Sequence, residues 1–306
     1  APAATPHTIA VTGASGLVGA ELVRQLTAEG RRVLRMVRQR GRAGADAVFW
    51  DPATGEVDAD ALRQADAVVH LAGENVGQRW TAERKRRILA SRVDGTSLLA
   101  RTLAEMPDGP RTFVLASGIG IYGPDAHDEV DETARPGGGF LADVVRQWEG
   151  AAAPAEAAGV RVVRLRLGVV LSAAGGALAK MLPPFRLGAG GRMGDGRHWM
   201  SWVSLEDAVG AFRFALDHPE TSGPYNVAAP NPVRNEEFTR ALGEVLNRPT
   251  VLPVPAFVLR ALLGEMADET ALASQRVVRR LTEAGFRFRH PDLVGALRGA
   301  LRGNGV

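Results

Sequence analysis

Thr8-Ile-Ala-Val-Thr-Gly-Ala-Ser-Gly-Leu-Val-Gly19 decides the fold of this 306-residue chain. The apolar run from Thr8 to Thr12 reads as a strand, and it leads straight into Gly13, Gly16 and Gly19. Behind them Val18, Leu22 and Leu26 recur every four residues, the stripe of a helix lying on a sheet. Glycine lets a strand turn abruptly and lets backbone N–H groups approach a pyrophosphate at the helix N-terminus, where unpaired donors and the dipole favour an anion. Any tight strand-to-helix turn uses glycine. Set between a clean strand and a clean helix, the triplet reads as a dinucleotide site, contacted by Gly13, Ser15, Gly16, Leu17, Val18 and Gly19.

Working outward, strand and helix patterns alternate. Arg32–Val37 reads as a second strand, Ala47–Trp50 as a third and Asp66–Gly73 as a fourth, followed by a long helix from near Thr81. Arg111–Ser117 is a fifth strand, Phe140–Ala158 a helix and Val160–Leu165 a sixth strand. This order predicts an α/β chain, a Rossmann-type doubly wound parallel sheet. The dinucleotide-binding domain is expected over residues 8–170, with 204–228 returning to it. A small α-rich substrate or cap domain is expected from 171–203 and 229–306. Ser204-Leu-Glu-Asp207 resembles a capping box, and Asn235 is placed as an N-cap.

The composition is that of an ordinary globular protein, 45% hydrophobic and 23% charged. Absence of cysteine removes disulfides, zinc knuckles and a thiol nucleophile, and the six histidines are too scattered for a metal site. The sequence pI near 9.9 accompanies a formal net charge of only +3, almost all the cations being arginine. The one dense run, Arg84-Lys-Arg-Arg87, falls in a predicted helix and reads as a solvated face, so no nucleic acid is expected. Residues 1–7 carry neither a charged region nor an apolar core, against a signal peptide. No stretch reaches the roughly eighteen apolar residues of a membrane span, so no membrane partner and a cytoplasmic location are expected.

The end of the second strand distinguishes the cofactors. An acidic residue there accepts from the ribose hydroxyl of NAD, whereas arginine meets the 2′-phosphate of NADP. The strand ends in Arg38, 19 positions after Gly19, with no acid before Asp46, which points to NADP(H).

On these residues the chain resembles the extended and atypical short-chain dehydrogenase/reductase superfamily. Further signs are Val68-Val-His-Leu-Ala-Gly73, Asp94-Gly-Thr96, Ser117 followed by Tyr122-Gly123, and Gly194-Asp-Gly196 before Trp202-Val-Ser-Leu-Glu-Asp207. It is most similar to the sugar-epimerase-like branch of the NAD-dependent epimerase/dehydratase family, which carries a small C-terminal domain of unknown function. That likeness rests on Trp50-Asp-Pro52, Leu71-Ala-Gly-Glu-Asn75, Trp148-Glu149, Gly168-Val-Val-Leu171, Leu182-Pro-Pro-Phe-Arg-Leu-Gly188, Ala228-Ala-Pro-Asn231 and Pro253-Val-Pro255. The resemblance implies that the glycine loop holds the pyrophosphate, that Leu71, Ala72 and Gly73 line the dinucleotide, and that Arg92 reaches it. It also implies that Gly168, Val169 and Val170 pass the nicotinamide, and that members pair through the two long helices, leaving monomer or homodimer open.

The family's usual Tyr-x-x-x-Lys pair is absent. The matching positions hold Phe140 or Leu141 and Val144 or Val145, and each of the two tyrosines, Tyr122 and Tyr225, has alanine four residues later. The common catalytic serine position falls on Gly118, beside Ser117. Candidate catalytic residues at strand ends are therefore Glu74, Ser117 and Tyr122, the tyrosine as an orienting group because its ordinary pKa near 10 makes a weak base. Asn75, Arg79, Trp80, Lys180, Arg192, Trp199 and Met200 are placed on the substrate side. The alternative roles are ordinary ones: Glu74 paired with Arg79, and the tryptophans packed. Two functions follow: an NADP(H)-dependent, epimerase-like oxidoreductase on a sugar nucleotide or small carbonyl with a non-standard acid/base, or a catalytically silent NADP(H) sensor.

Overall fold

Five consecutive buried residues, Thr8–Thr12, place the first strand at the centre of the sheet, since a strand covered on both faces has no polar side to show. The computed structural model describes residues 5–40, 44–278 and 280–302. In chain order the strands are β1 (Thr8–Thr12), β2 (Arg32–Val37), β3 (Ala47–Asp51), β4 (Glu56–Val57), β5 (Ala67–His70), β6 (Thr112–Gly118), β7 (Asp125–Val130), β8 (Arg161–Leu167), β9 (Val169–Leu171), β10 (Trp199–Met200), β11 (Trp202–Ser204), β12 (Gly223–Val227), β13 (Val233–Arg234) and β14 (Ser274–Val277). The helices are α1 (Leu17–Ala28), α2 (Ala59–Leu62), α3 (Ala82–Ala104), α4 (Phe140–Gly150), α5 (Ala153–Ala157), α6 (Gly176–Arg186), α7 (Leu205–Asp217), α8 (Asn235–Leu246), α9 (Ala256–Leu263) and α10 (Leu293–Arg302).

Eight strands form one sheet in the order β12-β8-β6-β5-β1-β2-β3-β4, parallel except for β4. The chain leaves β1 toward β2 and β3, then returns to β5 and continues the other way. The order therefore reverses beside β1, and in such sheets the crevice for a ligand opens at that reversal, outside the strands' carboxyl ends. The doubly wound α/β fold expected from the alternation is the one observed.

Local differences have identifiable causes. The helix expected over 140–158 is two helices, because the chain leaves the α4 path after Gly150 and restarts with Pro154 in the first turn of α5, where its missing N–H costs nothing. Asn235 is the first helical residue rather than the cap: its side chain is spent on the loop, accepting from Met193 N at 2.7 Å. Ser204 does cap α7, accepting from Asp207 N at 3.0 Å. The pairing of β14 with β7 joins segments about 150 residues apart, beyond any local pattern.

Most buried apolar residues form one cluster around the sheet, which also takes Val277, Leu281 and Phe286 from the C-terminal stretch. A second cluster gathers Leu178, Leu182 and Phe185 of α6, Phe238 and Leu242 of α8, and Leu293, Ala296 and Leu297 of α10 around the fully buried Trp202. It packs on β9 and β11, the parallel pair that follows β8. Among the described residues no helix is long and apolar enough to cross a membrane.

Candidate functional site

The turn after β1 is made by backbone alone. Gly16 N donates to Gly13 O at 3.0 Å, and Gly13 has φ +64°. A Cβ on Gly13 would stand 2.8 Å from the Leu71 carbonyl carbon, and one on Gly19 only 2.0 Å from Gly13 O. Side chains there would fill the turn. The N-cap, Gly16, gives no side-chain bond, and no acid stands in the first turn of α1, so these N–H groups remain for an outside anion. Leu17 faces the start of α6, its Cδ1 3.6 Å from where a Gly175 Cβ would lie.

Across the reversal, Thr12 Oγ1 accepts from Leu71 N at 3.0 Å and Ala72 N at 3.1 Å, so its own proton goes to His70 Nδ1 at 2.7 Å. That fixes His70 as the tautomer protonated on Nε2, an atom that is buried without a partner. Burial, with Arg92 second, pulls the His70 pKa down to about 3, so the ring is neutral.

Arg92, from α3, lies against Gly73, whose added Cβ would stand 3.2 Å from the guanidinium carbon. It donates to Glu74 O at 3.0 Å and Ile88 O at 3.2 Å, with Trp148 ring 5.1 Å away. Burial lowers its pKa to about 10, against the pull of Glu74, leaving a cation at neutral pH. Glu74 is half-buried, donates its N–H to Ser91 Oγ at 2.9 Å and faces Arg84 at 3.4 Å rather than Arg79.

The candidates that follow β5 lie along one loop. Asn75 Oδ1 accepts from Gly77 N at 2.8 Å, and Lys180 reaches across from α6 to donate to Gly77 O. Arg79 donates to Ala261 O at 3.3 Å. Trp80 is buried, donates to Val76 O at 2.9 Å and meets the Phe140 ring edge-on at 4.9 Å. Lys85 closes the same seam on Glu265, both oxygens at 2.8 Å. Trp199 carries Arg234 at 4.0 Å and Arg276 at 4.7 Å on its ring, while Met200 accepts from Asn235 Nδ2 at 3.4 Å. Arg192 lines a separate hollow against α8. Arg38 is exposed just after β2.

Ser117 and Tyr122 sit in a buried network. Ser117 Oγ donates to Glu149 Oε1 at 2.6 Å, and Arg166 holds that carboxylate with two bonds of 2.8 Å. Arg166 also donates to the Tyr122 hydroxyl at 3.0 Å, which donates to Asn226 Oδ1 at 2.7 Å. Burial raises the Tyr122 pKa despite the opposing guanidinium. Burial works against the Arg166 charge, but Glu149 outweighs it and holds the proton more firmly than usual. Glu149, Arg166 and Asn226 were not singled out as site residues from sequence. The usable signal was arginine inside an apolar strand, which needs a buried acid.

The positions of the missing pair are apolar. Val144 packs with Trp80, Ile88 and Met266, and Val145 lies in the main cluster. In front of them Glu269 accepts from Phe140 N at 2.7 Å and Leu141 N at 2.8 Å, closing the N-terminus of α4. Beyond β8, a Gly168 Cβ would stand 2.8 Å from Ser201 O, and Val169 and Val170 pair with β11.

The main-chain cradle at the strand reversal, with Gly118 ending β6 and Gly73 and Gly168 lying just beyond β5 and β8, fits a dinucleotide and defines a Rossmann-type nucleotide-binding protein. Residues 9–228 match the model of the NAD dependent epimerase/dehydratase family, and residues 254–300 match a domain of unknown function, DUF1731. An epimerase family protein of Mycobacterium leprae is 45% identical over 299 residues, covering 97% of this chain and 96% of the relative. The crystal structure of human epimerase family protein SDR39U1 with NADPH superposes with TM-score 0.86 at 32% identity, over 96% of this chain and 99% of that one. The nucleoside-diphosphate sugar epimerase from Corynebacterium glutamicum gives TM-score 0.79 at 36% identity, over 97% of this chain and 58% of that one. The chain belongs to the NAD dependent epimerase/dehydratase family.

Proposed function

We propose that this protein is an NADP(H)-dependent, epimerase-like oxidoreductase that acts on a sugar nucleotide or a small carbonyl or hydroxyl compound without a tyrosine–lysine pair. The observation carrying the reading is the tight turn of Gly13, Gly16 and Gly19 against Leu71 and Ala72, where a Cβ on Gly13 or Gly19 would collide with main chain, together with the uncapped N–H groups that begin α1 and suit a diphosphate. Arg38, exposed after β2 with no acid beside it, meets the 2′-phosphate. A human relative crystallised with NADPH supports the same choice.

When bound, the nicotinamide supplies or accepts hydride. The chain's own residues do the rest. Leu71–Gly73 and Arg92 hold the dinucleotide along β5, and Gly168–Val170 flank its reacting end. Glu74, half-buried beside Arg84, is the carboxylate placed to exchange a proton with substrate. Ser117 and Tyr122 act as positioning residues, tying the end of β6 to Glu149 and Arg166. Asn75, Arg79, Trp80, Lys180, Trp199 and Met200 shape the substrate side, with the helical unit of 171–203 and 229–306 as its cover.

The test adds NADPH deuterated at C4 to the protein with a panel of nucleotide sugars and small ketones. Label appearing in a substrate supports the enzyme. Tight NADPH binding with all label retained supports the second reading, a silent sensor, which the apolar packing of Val144 and Val145 favours. Absence of NADPH binding overturns both.

A further inference from the structure

We infer that Arg92 makes this protein discriminate between the two redox forms of its dinucleotide, holding the reduced form more tightly than the oxidised one. Resting on the NADP(H) reading above, this preference adds which form the crevice keeps. The diphosphate belongs at the uncapped start of α1, beside β1, and Arg38 draws the adenosine half toward β2. The nicotinamide half therefore runs the other way, past the carboxyl ends of β5 and β6. Arg92 stands on that side.

Its guanidinium lies flat on Gly73, just past β5. A Cβ on that glycine would stand 3.2, 3.3 and 3.4 Å from Cζ, Nη2 and Nη1, and such near-equal distances describe a stacked plane. A side chain at residue 73 would press on the cation. Trp148 on α4 steadies the charge, its ring centre 5.1 Å from Cζ. Nη1 is fixed by the carbonyls of Glu74 at 3.0 Å and Ile88 at 3.2 Å. Nε and Nη2 take no acceptor among the described residues, and neither is sealed in the interior.

The neighbouring charges cancel in pairs, and this one does not. Arg84 faces Glu74 at 3.4 Å and Arg166 holds Glu149 at 2.8 Å. Among the described residues Arg92 belongs to no ion pair. Val144 and Val145 bring no second cation from α4, and Lys180 reaches Gly77 O at an exposed position where water and salt screen it. Burial draws the Arg92 pKa down to about 10 against the pull of Glu74, so the fold keeps this charge at a cost. A cation held that way at the edge of a crevice marks a functional group. The oxidised nicotinamide ring carries one positive charge, the reduced ring is neutral, and the rest of the dinucleotide is the same in both. A fixed guanidinium beside that half therefore repels one form only, by about tenfold in affinity for a partly buried pair of charges.

The test titrates NADPH and NADP⁺ by calorimetry into the full chain and into Arg92→Gln and Arg92→Lys. The parent is expected to bind NADPH about tenfold more tightly than NADP⁺, Arg92→Gln to bring that ratio close to one, and Arg92→Lys to keep most of it because the charge remains. A guanidinium that only props the loop, or that meets the diphosphate, would weaken both forms alike when removed. An unchanged ratio in Arg92→Gln therefore overturns the assignment. Equal affinity of the parent for the two forms overturns it without any variant, so the outcome does not depend on Arg92→Gln folding. Failure of both forms to bind the parent removes the cofactor reading itself, whereas binding with an unaltered ratio sinks only the role of Arg92.

Discussion

At the β1–β5 end of the crevice the protein shows its main chain: three glycines, a threonine bridging two N–H groups, and a helix start with no side chain over it. At the β6–β8 end it shows almost no backbone. There a serine, a tyrosine, an asparagine, an arginine and a glutamate bond to one another in the interior, and two valines fill the place where the family usually keeps a cation. The first end is defined by what side chains must not occupy, the second by partners that must all be present. A site of the first kind binds a ligand shared by many relatives. A site of the second kind can lose its usual chemistry while keeping its shape.

The largest expected effect separates the two ends. Glu149→Ala strands the buried Arg166 charge and should cost about 3–5 kcal/mol in urea unfolding, with NADPH affinity of the folded protein unchanged. A parallel loss of affinity would show the ends to be coupled. Gly19→Ala is the reverse case. Its Cβ would press on Gly13 O, and distortion of about 1–3 kcal/mol should appear as a tenfold or greater loss of NADPH binding, measured by calorimetry.

Next comes pH. His70 stays neutral in the fold, its pKa lowered from 6.5 to about 3. Between those values the unfolded chain binds a proton that the folded chain refuses, so stability falls as pH drops below 6.5, by up to about 1.4 kcal/mol per unit. Urea midpoints compared at about pH 5 and pH 7 should differ less in His70→Asn, which keeps an acceptor for the Thr12 hydroxyl. An unchanged slope would place the titration elsewhere. The smallest effect is on selectivity: Arg38→Asp should reduce the preference for NADPH over NADH by about tenfold in competitive binding, leaving stability near that of the parent.

The sheet and the cradle were legible because each rests on a local pattern: apolar strands, glycines at fixed spacing, helical stripes. The place of Arg38, one residue past the end of β2, was legible for the same reason. The β7–β14 pairing and the Glu149–Arg166–Tyr122–Asn226 chain were not, because their members are brought together only by the folded sheet. Glu269 at the start of α4 lies 129 residues from its partner, and no spacing rule reaches that far. Arg166 did leave a trace, a charge in an apolar strand, but sequence could not name the acid that answers it.

The chain has only two lysines: Lys180 ties α6 to the loop after β5 through Gly77 O, and Lys85 ties the start of α3 to Glu265 beyond α9. Reagents that acylate or cross-link lysine side chains therefore strike this protein at two tertiary contacts and at no other side chain. Reactivity at those two amines reports whether these two contacts are made, readable by mass spectrometry without any engineered label.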